Sequence, residues 1–181
     1  MLVQSSDLLG IATRSLVAAG VDEENTAAIA ENVVVAEAQG RPSHGLLSCL
    51  LFHKYRESWT PPTRKIELVQ AEGAISIAAH SNSGCLAMRN GVRAAIKSLN
   101  ESDCDVLSLR VSGSQATVGY AGHYGRMAAE AGFFYIGFHT CHGGLSVSGL
   151  PGGFLSTNPF VIAGPGDESY SVVYDTSCAE G

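Results

Sequence analysis

The sequence carries little charge and has no run of basic residues. Its 181 residues include 11 Lys and Arg against 17 Asp and Glu, so the formal net charge is −6. Proteins that hold nucleic acid by its phosphates present clustered basic side chains, so this pattern argues against a nucleic-acid partner. With 45% hydrophobic and 15% charged residues, the composition is that of a globular protein and excludes a disordered chain or a coiled coil.

The sequence also shows no pattern typical of a disulfide framework, a signal peptide or a membrane span. The N-terminus has no basic start followed by an apolar core, and no apolar run is long enough to cross a bilayer, so we expect neither a signal peptide nor a membrane contact. The cysteines are odd in number and widely spaced, which is typical of a reduced cytoplasmic protein rather than a disulfide framework. They are Cys49, Cys85, Cys104, Cys141 and Cys178.

Hydrophobic periodicity predicts an α/β fold with a helical opening. Helices are predicted to begin at Ser5 or Ser6, after Asp22 and at Ser43, and Pro61-Pro62 ends the third. We therefore predict an N-terminal helical segment over residues 1–62, and over residues 63–181 a mixed sheet with crossover helices. The predicted strands are 65–69, 74–79, 106–111, 133–138, 161–163 and 171–174, and the predicted helices among them are 87–99 and 121–131. A polar turn follows the last strand, so we expect further polypeptide to complete the fold.

Several common catalytic and nucleotide-binding motifs are absent. The sequence contains no GxGxxG, no GxxxxGK[ST], no HExxH and no GxSxG. A Rossmann fingerprint, a Walker loop, a zincin helix and a nucleophile elbow are therefore excluded as patterns. A nucleotide bound by this chain would have to be held by other means.

Residues 40–45 place His44 beside Ser43 at the start of the third predicted helix. An imidazole titrates near roughly 6.5, so it can give or take a proton near neutral pH. The same residues also suit a helix cap without chemistry.

Three other segments admit a functional and a structural interpretation. His139, Cys141 and His142 are metal-ligand types, but an extended chain points His142 away from the other two, and a structural zinc site needs four ligands. We therefore expect no metal. The hydroxyls and amides of residues 112–119 suit an anion site or an ordinary loop. Residues 156–159, Ser-Thr-Asn-Pro, lie before an apolar strand and suit a binding loop or a simple turn.

Taken in order, these motifs resemble the malate/L-lactate dehydrogenase family, the type without a classical Rossmann fold. The likeness covers nearly the whole chain and corresponds to the N-terminal half of the family, whose members are about twice as long. It is carried by the SHG of residues 43–45, the AGHYGRMAAEAG of residues 121–132, the STNP of residues 156–159 and the DTS of residues 175–177.

The resemblance implies a non-Rossmann nicotinamide-binding fold and an oxidoreductase that uses NAD or NADP. The implied substrate is a small 2-oxo or 2-hydroxy acid, or a cyclic imine carboxylate. His44 is the implied acid/base, giving a proton to the carbonyl oxygen or imine nitrogen as hydride reaches carbon. Ser43, Ser48 and Thr117 are the implied substrate-pocket residues. The implied cofactor contacts are Thr157, Asn158, Asp175, Thr176 and Ser177.

Two positions depart from the family pattern. Ser48 stands where the family usually has an arginine that clamps a carboxylate, and Thr117 stands where it usually has a histidine. Serine cannot form the bidentate charged pair of arginine, and threonine does not titrate near neutrality. Two functions therefore stay open: an oxidoreductase with altered substrate binding, or a diverged member without hydride chemistry, either a partner-dependent subunit or a repurposed enzyme. For either function we expect a homodimer or a complementing chain.

Overall fold

The chain forms two units, Met1–His123 and Tyr124–Gly181. The computed structural model describes residues 3–54, 57, 59–62, 64–140, 146, 153, 156–167 and 170–177. The boundary that the sequence predicts after residue 62 lies inside the first unit. The division into a helical segment 1–62 and a mixed α/β region 63–181 stays a prediction. Within the described residues, no helix has both the length and the apolar composition needed to cross a bilayer.

The first unit opens with three helices, α1 (Ser5–Ala18), α2 (Glu23–Ala38) and α3 (Leu46–Lys54). Their apolar faces meet in a core that includes Leu16, Ile29 and Val33, each at most 2% exposed. Helix α2 begins after Asp22, as predicted, and the Asp22 carboxylate caps it by accepting a hydrogen bond from the backbone N–H of Asn25. The serine caps expected for the other two helices are wrong. Gln4 precedes α1 without a side-chain cap bond, and α3 begins at Leu46 rather than Ser43.

The late start of α3 has a local cause. The N–H groups of His44 and Gly45 bond to carbonyls three residues earlier, those of Arg41 and Pro42, so residues 41–45 form tight turns rather than helix. The carboxylate of Glu37 on α2 then accepts a hydrogen bond from the N–H of Leu46 at 2.7 Å. A side chain nine residues upstream therefore takes the place that Ser43 was expected to fill.

The remainder of the first unit contains a mixed sheet and its crossover helix, as predicted. Strands β1 (Glu67–Ala71) and β2 (Ala74–Ala78) pair antiparallel, and β3 (Ser108–Ser112) pairs parallel to β2. Helix α4 (Gly84–Glu101) connects the two parallel strands. The core side chains Ile75 and Ile77 are each 1% exposed.

Two buried asparagines on α2 tie the helices to the segments that follow. Asn32 donates to the carbonyl of Tyr120 at 3.0 Å and accepts from its N–H at 2.7 Å. Asn25 accepts from the N–H of Ser83 at 2.7 Å and donates to the side-chain oxygen of Asn82 at 3.0 Å. Because these polar groups are buried and cannot bond to water, each hydrogen bond supplies a partner that the group would otherwise lack.

The second unit is a separate, wholly antiparallel sheet covered by one helix. Its strands, in the order β4 (Tyr135–Phe138), β5 (Phe160–Pro165) and β6 (Ser171–Thr176), pair with their neighbours. Helix α5 (Gly122–Glu130) enters this unit from the first and packs closely on β5. A Cβ on Gly125 would lie 2.9 Å from side-chain carbons of both Val161 and Ala163. The predicted strands are thus present, but in two sheets rather than one.

A charged cluster joins α2, α4 and α5 within the first unit. Glu31 lies 3.1 Å from Arg89, 3.5 Å from Arg93 and 3.6 Å from the Nε2 of His123. His123, followed by the two arginines, holds the pKa of the Glu31 carboxyl at about 2, although burial acts in the opposite direction.

Replacing Glu31 by glutamine should lower the free energy of unfolding at pH 7 by about 1–2 kcal/mol, a value reduced because the carboxylate is one-third exposed. The folded pKa lies below the unfolded value of 4.5. The stabilisation is therefore complete above pH 4.5 and disappears as the pH falls towards 2. Urea unfolding at pH 7 and pH 3 measures both effects.

Glu101→Gln is the matched control for this variant. Its exposed pair with Lys97 spans 4.0 Å on one helix, so its loss should change stability by less than about 0.5 kcal/mol. Equal stability of Glu31→Gln and the parent at pH 7 would contradict a stabilising role for the cluster.

Candidate active site

The turn before α3 brings three of the predicted site residues together. The exposed imidazole of His44 lies beside Ser43, whose Oγ is 3.1 Å from Nδ1. The hydroxyl of Ser48 donates to the carbonyl of Gly45 at 2.6 Å and lies 3.4 Å from the carbonyl of His44. With Nδ1 engaged by Ser43, Nε2 is the ring nitrogen that can exchange a proton with a bound molecule.

Glu37 fixes the shape of this turn from the neighbouring helix. Its carboxylate caps Leu46 and lies directly over Gly45, where any Cβ would overlap it. The glycine next to His44 is therefore required by the close approach of a side chain rather than by an unusual backbone angle. Sequence reasoning did not identify Glu37, because nothing in the spacing shows that α2 folds back over the turn.

Ser48, at the position of the family arginine, is 9% exposed, and its hydroxyl is hydrogen-bonded to the backbone of its own segment. Thr117 is exposed, and its Oγ1 accepts from the N–H of Gly119 at 2.9 Å, within its own loop. In the part of the chain that the structure describes, no hydrogen bond joins Thr117 to His44. The substrate roles of Ser48 and Thr117 stay predictions.

The five predicted cofactor residues gather at one end of the second sheet. Antiparallel β5 and β6 pair Phe160 with Thr176. The residues just before β5 and the residue just after β6 must therefore lie at the same end. The group comprises Thr157, Asn158, Asp175, Thr176 and Ser177. Asn158 has a left-handed backbone, with φ of 42°, and its N–H donates to the Ser156 hydroxyl at 3.2 Å.

His139 follows β4 at this same end and was not predicted as part of a cofactor site. Its N–H donates to the carbonyl of Pro159 at 2.9 Å. The side chain is 8% exposed, and among the described residues its buried Nε2 has no hydrogen-bond partner. The only sequence signal was its place in the His-Thr-Cys-His motif considered for a metal. Cys141 and His142 lie outside the described residues, and no cluster of metal-ligand types occurs among those described.

Burial lowers the pKa of His139, while the carboxylate of Asp175 acts in the opposite direction. The same surroundings raise the pKa of Tyr135 to about 12, through burial and then through Asp175. Tyr135 and His139 thus both lie in low-dielectric surroundings, within electrostatic reach of the Asp175 carboxylate.

Because of His139, the protein should become less stable as the pH falls below 6.5, the ordinary pKa of a histidine side chain. Its folded pKa is depressed, so the unfolded chain takes up the proton first and stability falls on acidification. Urea unfolding between pH 7 and pH 5 should show this loss, and His139→Gln should reduce its slope by at most about 1.4 kcal/mol per pH unit. Asp175→Asn should make the loss steeper, and an unchanged slope in both variants would contradict the assignment.

Comparison with known proteins identifies the family of this chain. The malate/L-lactate dehydrogenase family model matches residues 3–180. Ureidoglycolate dehydrogenase (NAD(+)) of Escherichia coli strain K12 is 27% identical over 180 residues, which cover 97% of this chain and 50% of that protein. The chain thus spans about half the length of the curated relatives that it matches.

Solved structures show the same fold. Malate dehydrogenase from Pyrococcus horikoshii OT3 superposes with a TM-score of 0.83 at 23% identity, over 98% of this chain and 50% of that one. Delta1-piperideine-2-carboxylate reductase from Pseudomonas syringae pvar.tomato gives 0.79 at 18% identity, over 98% and 53%. At these identities the likeness concerns the fold alone. The family model, which matches almost the entire chain, shows that it belongs to the malate/L-lactate dehydrogenase family.

Proposed function

We propose that this chain supplies the acid/base residue and part of the cofactor site of an NAD- or NADP-dependent oxidoreductase. The substrate class is a small 2-oxo or 2-hydroxy acid, or a cyclic imine carboxylate. The observation that carries the proposal is the exposed His44–Ser43 pair, held on a turn that Glu37 fixes. Membership of a family of dehydrogenases and reductases supports the same reaction class.

In this proposal His44 moves the proton. A bound nicotinamide cofactor supplies or accepts the hydride. During reduction His44 gives its Nε2 proton to the carbonyl oxygen or imine nitrogen, and during oxidation it takes that proton back. Ser43 holds Nδ1 and so keeps the ring turned for this exchange. Its exposed position lets the imidazole recover its proton from solvent between turnovers.

The polar end of the second sheet fits the uncharged hydrogen-bonding groups of a nicotinamide nucleoside. Thr157, Thr176 and Ser177 carry hydroxyls, Asn158 an amide, and Asp175 a carboxylate that suits ribose hydroxyls. The buried Nε2 of His139 is an unsatisfied polar atom at the same end, and a ligand hydrogen bond would satisfy it.

Substrate binding in this proposal does not depend on a clamp at residue 48. The Ser48 hydroxyl is directed to the backbone, so another cation must meet a substrate carboxylate. Arg41 is exposed three residues before His44 and is the nearest described candidate along the chain. A second arginine near this turn in the sequence, Arg56, lies outside the described residues.

Fluorescence titration with NADH and then NADPH tests the cofactor site. We expect saturable binding of one of them, weakened at least about tenfold by Asn158→Gly, since a lost hydrogen-bonding group costs roughly 1.4 kcal/mol or more. Glycine keeps the left-handed backbone of Asn158 and removes only the amide. Ser81→Gly, at another left-handed position with φ of 65°, is the control and should not change binding. Absence of saturable binding to either nucleotide would contradict a cofactor site in this chain.

One observation favours a second candidate, a diverged subunit or repurposed enzyme without hydride chemistry. Ser48 and Thr117 replace the usual arginine and histidine of the family, and both hydroxyls bond within their own segments. Turnover of ureidoglycolate, malate and Δ1-piperideine-2-carboxylate with both nucleotides separates the two functions. Nucleotide binding without turnover of any of the three would favour the second candidate.

A further inference from the structure

The inner face of the second sheet is the one that packs on α5, and it carries Tyr135, Val161 and Ala163. A histidine stands at the end of this face. The ladder between β4 and β5 continues one step past β4, because the N–H of His139 donates to the carbonyl of Pro159 at 2.9 Å. Side chains alternate along a strand, so His139, four residues after Tyr135, points to the same face.

An aromatic ring and a carboxylate share the inner face with His139. The ring of Tyr135 lies over Gly137, where a Cβ would be 2.6 Å from the phenol oxygen. Asp175 is paired with Val161 in the register of β5 and β6, and residues directly opposite each other point to the same side of a sheet. The end of the inner face therefore offers a ring, an imidazole and a carboxylate to one ligand.

The spacing of His139 and Asp175 suits a ligand with two polar ends. His139 follows β4 and Asp175 lies on β6, so β5 runs between them. Neighbouring strands are roughly 4.8 Å apart, which puts about 10 Å between the two outer backbones. A ligand that crosses β5 would meet the imidazole at one end and the carboxylate at the other.

The imidazole of His139 calls for an uncharged partner. Its side chain is 8% exposed, and among the described residues its buried Nε2 has no hydrogen-bond partner. Such an atom costs free energy that a ligand hydrogen bond returns. Burial lowers the pKa of His139, so the ring is neutral at pH 7. A neutral imidazole has one donor and one acceptor and no charge for a phosphate, so an amide is the matching ligand group.

We propose that His139 recognises the nicotinamide end of the cofactor through a hydrogen bond to its carboxamide. This inference rests on the proposed function, which supplies the cofactor. The carboxamide is the only hydrogen-bonding group on the nicotinamide ring, and its donor and acceptor suit either tautomer of the imidazole. The ribose hydroxyls next to the ring suit the Asp175 carboxylate. The χ2 torsion of histidine is broad, so the ring can turn its Nε2 to the ligand.

Calorimetric titration with NADH and with ADP-ribose tests the assignment, because ADP-ribose lacks only the nicotinamide. If NADPH is the nucleotide that binds, the 2′-phosphate of ADP-ribose takes the second place. His139→Phe should weaken binding of the dinucleotide at least about tenfold and leave that of ADP-ribose within about twofold. His139→Gln carries an amide near the position of Nε2 and should recover most of the loss. His80→Asn removes an imidazole that is paired with Glu67 at 3.3 Å in the first unit, and it should change neither titration.

Nitrogen-15 NMR of the parent gives a readout that does not depend on the folding of a variant. The Nε2 signal of His139, identified by its absence in His139→Phe, should shift on binding of the dinucleotide and not of ADP-ribose. An unshifted signal would overturn the inference and leave a buried water as the partner of Nε2. Equal losses for both ligands in His139→Phe would also overturn it, and both results leave the proposed function standing. A chain that binds neither dinucleotide would overturn the proposed function and this inference with it.

Discussion

Gly119→Ala is expected to lower the free energy of unfolding by at least about 3 kcal/mol. Gly119 has a φ of +71°, which favours glycine. A Cβ there would overlap the Oδ1 of Asn32 and lie 2.7 Å from its Cγ. Asn32 would have to give up both of its hydrogen bonds to Tyr120, which leaves buried polar atoms without partners. Urea unfolding at pH 7 measures the loss.

Gly40→Ala separates backbone strain from the clash. Gly40 has a similar φ of +67°, but a Cβ there would meet nothing within 4 Å. Its cost should therefore be only about 1 kcal/mol. Equal losses in the two variants would mean that Asn32 moves aside freely and that its bonds to Tyr120 contribute little.

His44→Asn is expected to reduce turnover at least about 100-fold, the lower range for loss of a general acid/base. Asparagine can still hydrogen-bond to the substrate but cannot exchange a proton, so the loss should fall on kcat more than on KM. The measurement is initial velocity with the nucleotide that binds and whichever of the three test substrates turns over. This prediction rests on the proposed oxidoreductase function.

His80→Asn is the control for that variant. His80 lies just after β2 and is paired with Glu67 of β1 at 3.3 Å, and its φ of 48° is one that asparagine tolerates. Its replacement should leave turnover within about twofold. An unchanged kcat in His44→Asn would remove His44 from the reaction, even if the nucleotide still binds.

The local signals in the sequence were enough to place the helices and strands. Strand-like composition predicted β2 and β3. The sequence also predicts a turn at Glu72-Gly73 between the first two strands, and it is present, with Gly73 at φ of +66°. The start of α2 after Asp22 was predicted because the acidic first turn and the apolar spacing that mark it are local. Features of this kind depend on near neighbours, which the sequence displays directly.

The missed features depend on distant partners. The start of α3 is decided by Glu37, and the polar atom of His139 is buried by packing, so neither shows as a motif. The separation of the strands into two sheets likewise depends on which strand edges pair, and these edges are far apart in the sequence. The family resemblance indicated His44 and the residues around Asn158, and the register of β5 and β6 supplied the reason that those residues meet.

The asparagine bonds to Tyr120 have a consequence for the order in which the protein forms during synthesis. Asn32 and Tyr120 are 88 residues apart. A ribosome adding roughly 5–20 residues per second needs several seconds to deliver the second after the first. During that interval the residues of α1, α2 and α3 have already been synthesised, but the Asn32 side chain can hydrogen-bond only to water in place of Tyr120. A translation product that stops before Tyr120 would contain all three helices but would lack the two hydrogen bonds that join Asn32 to the Tyr120 backbone.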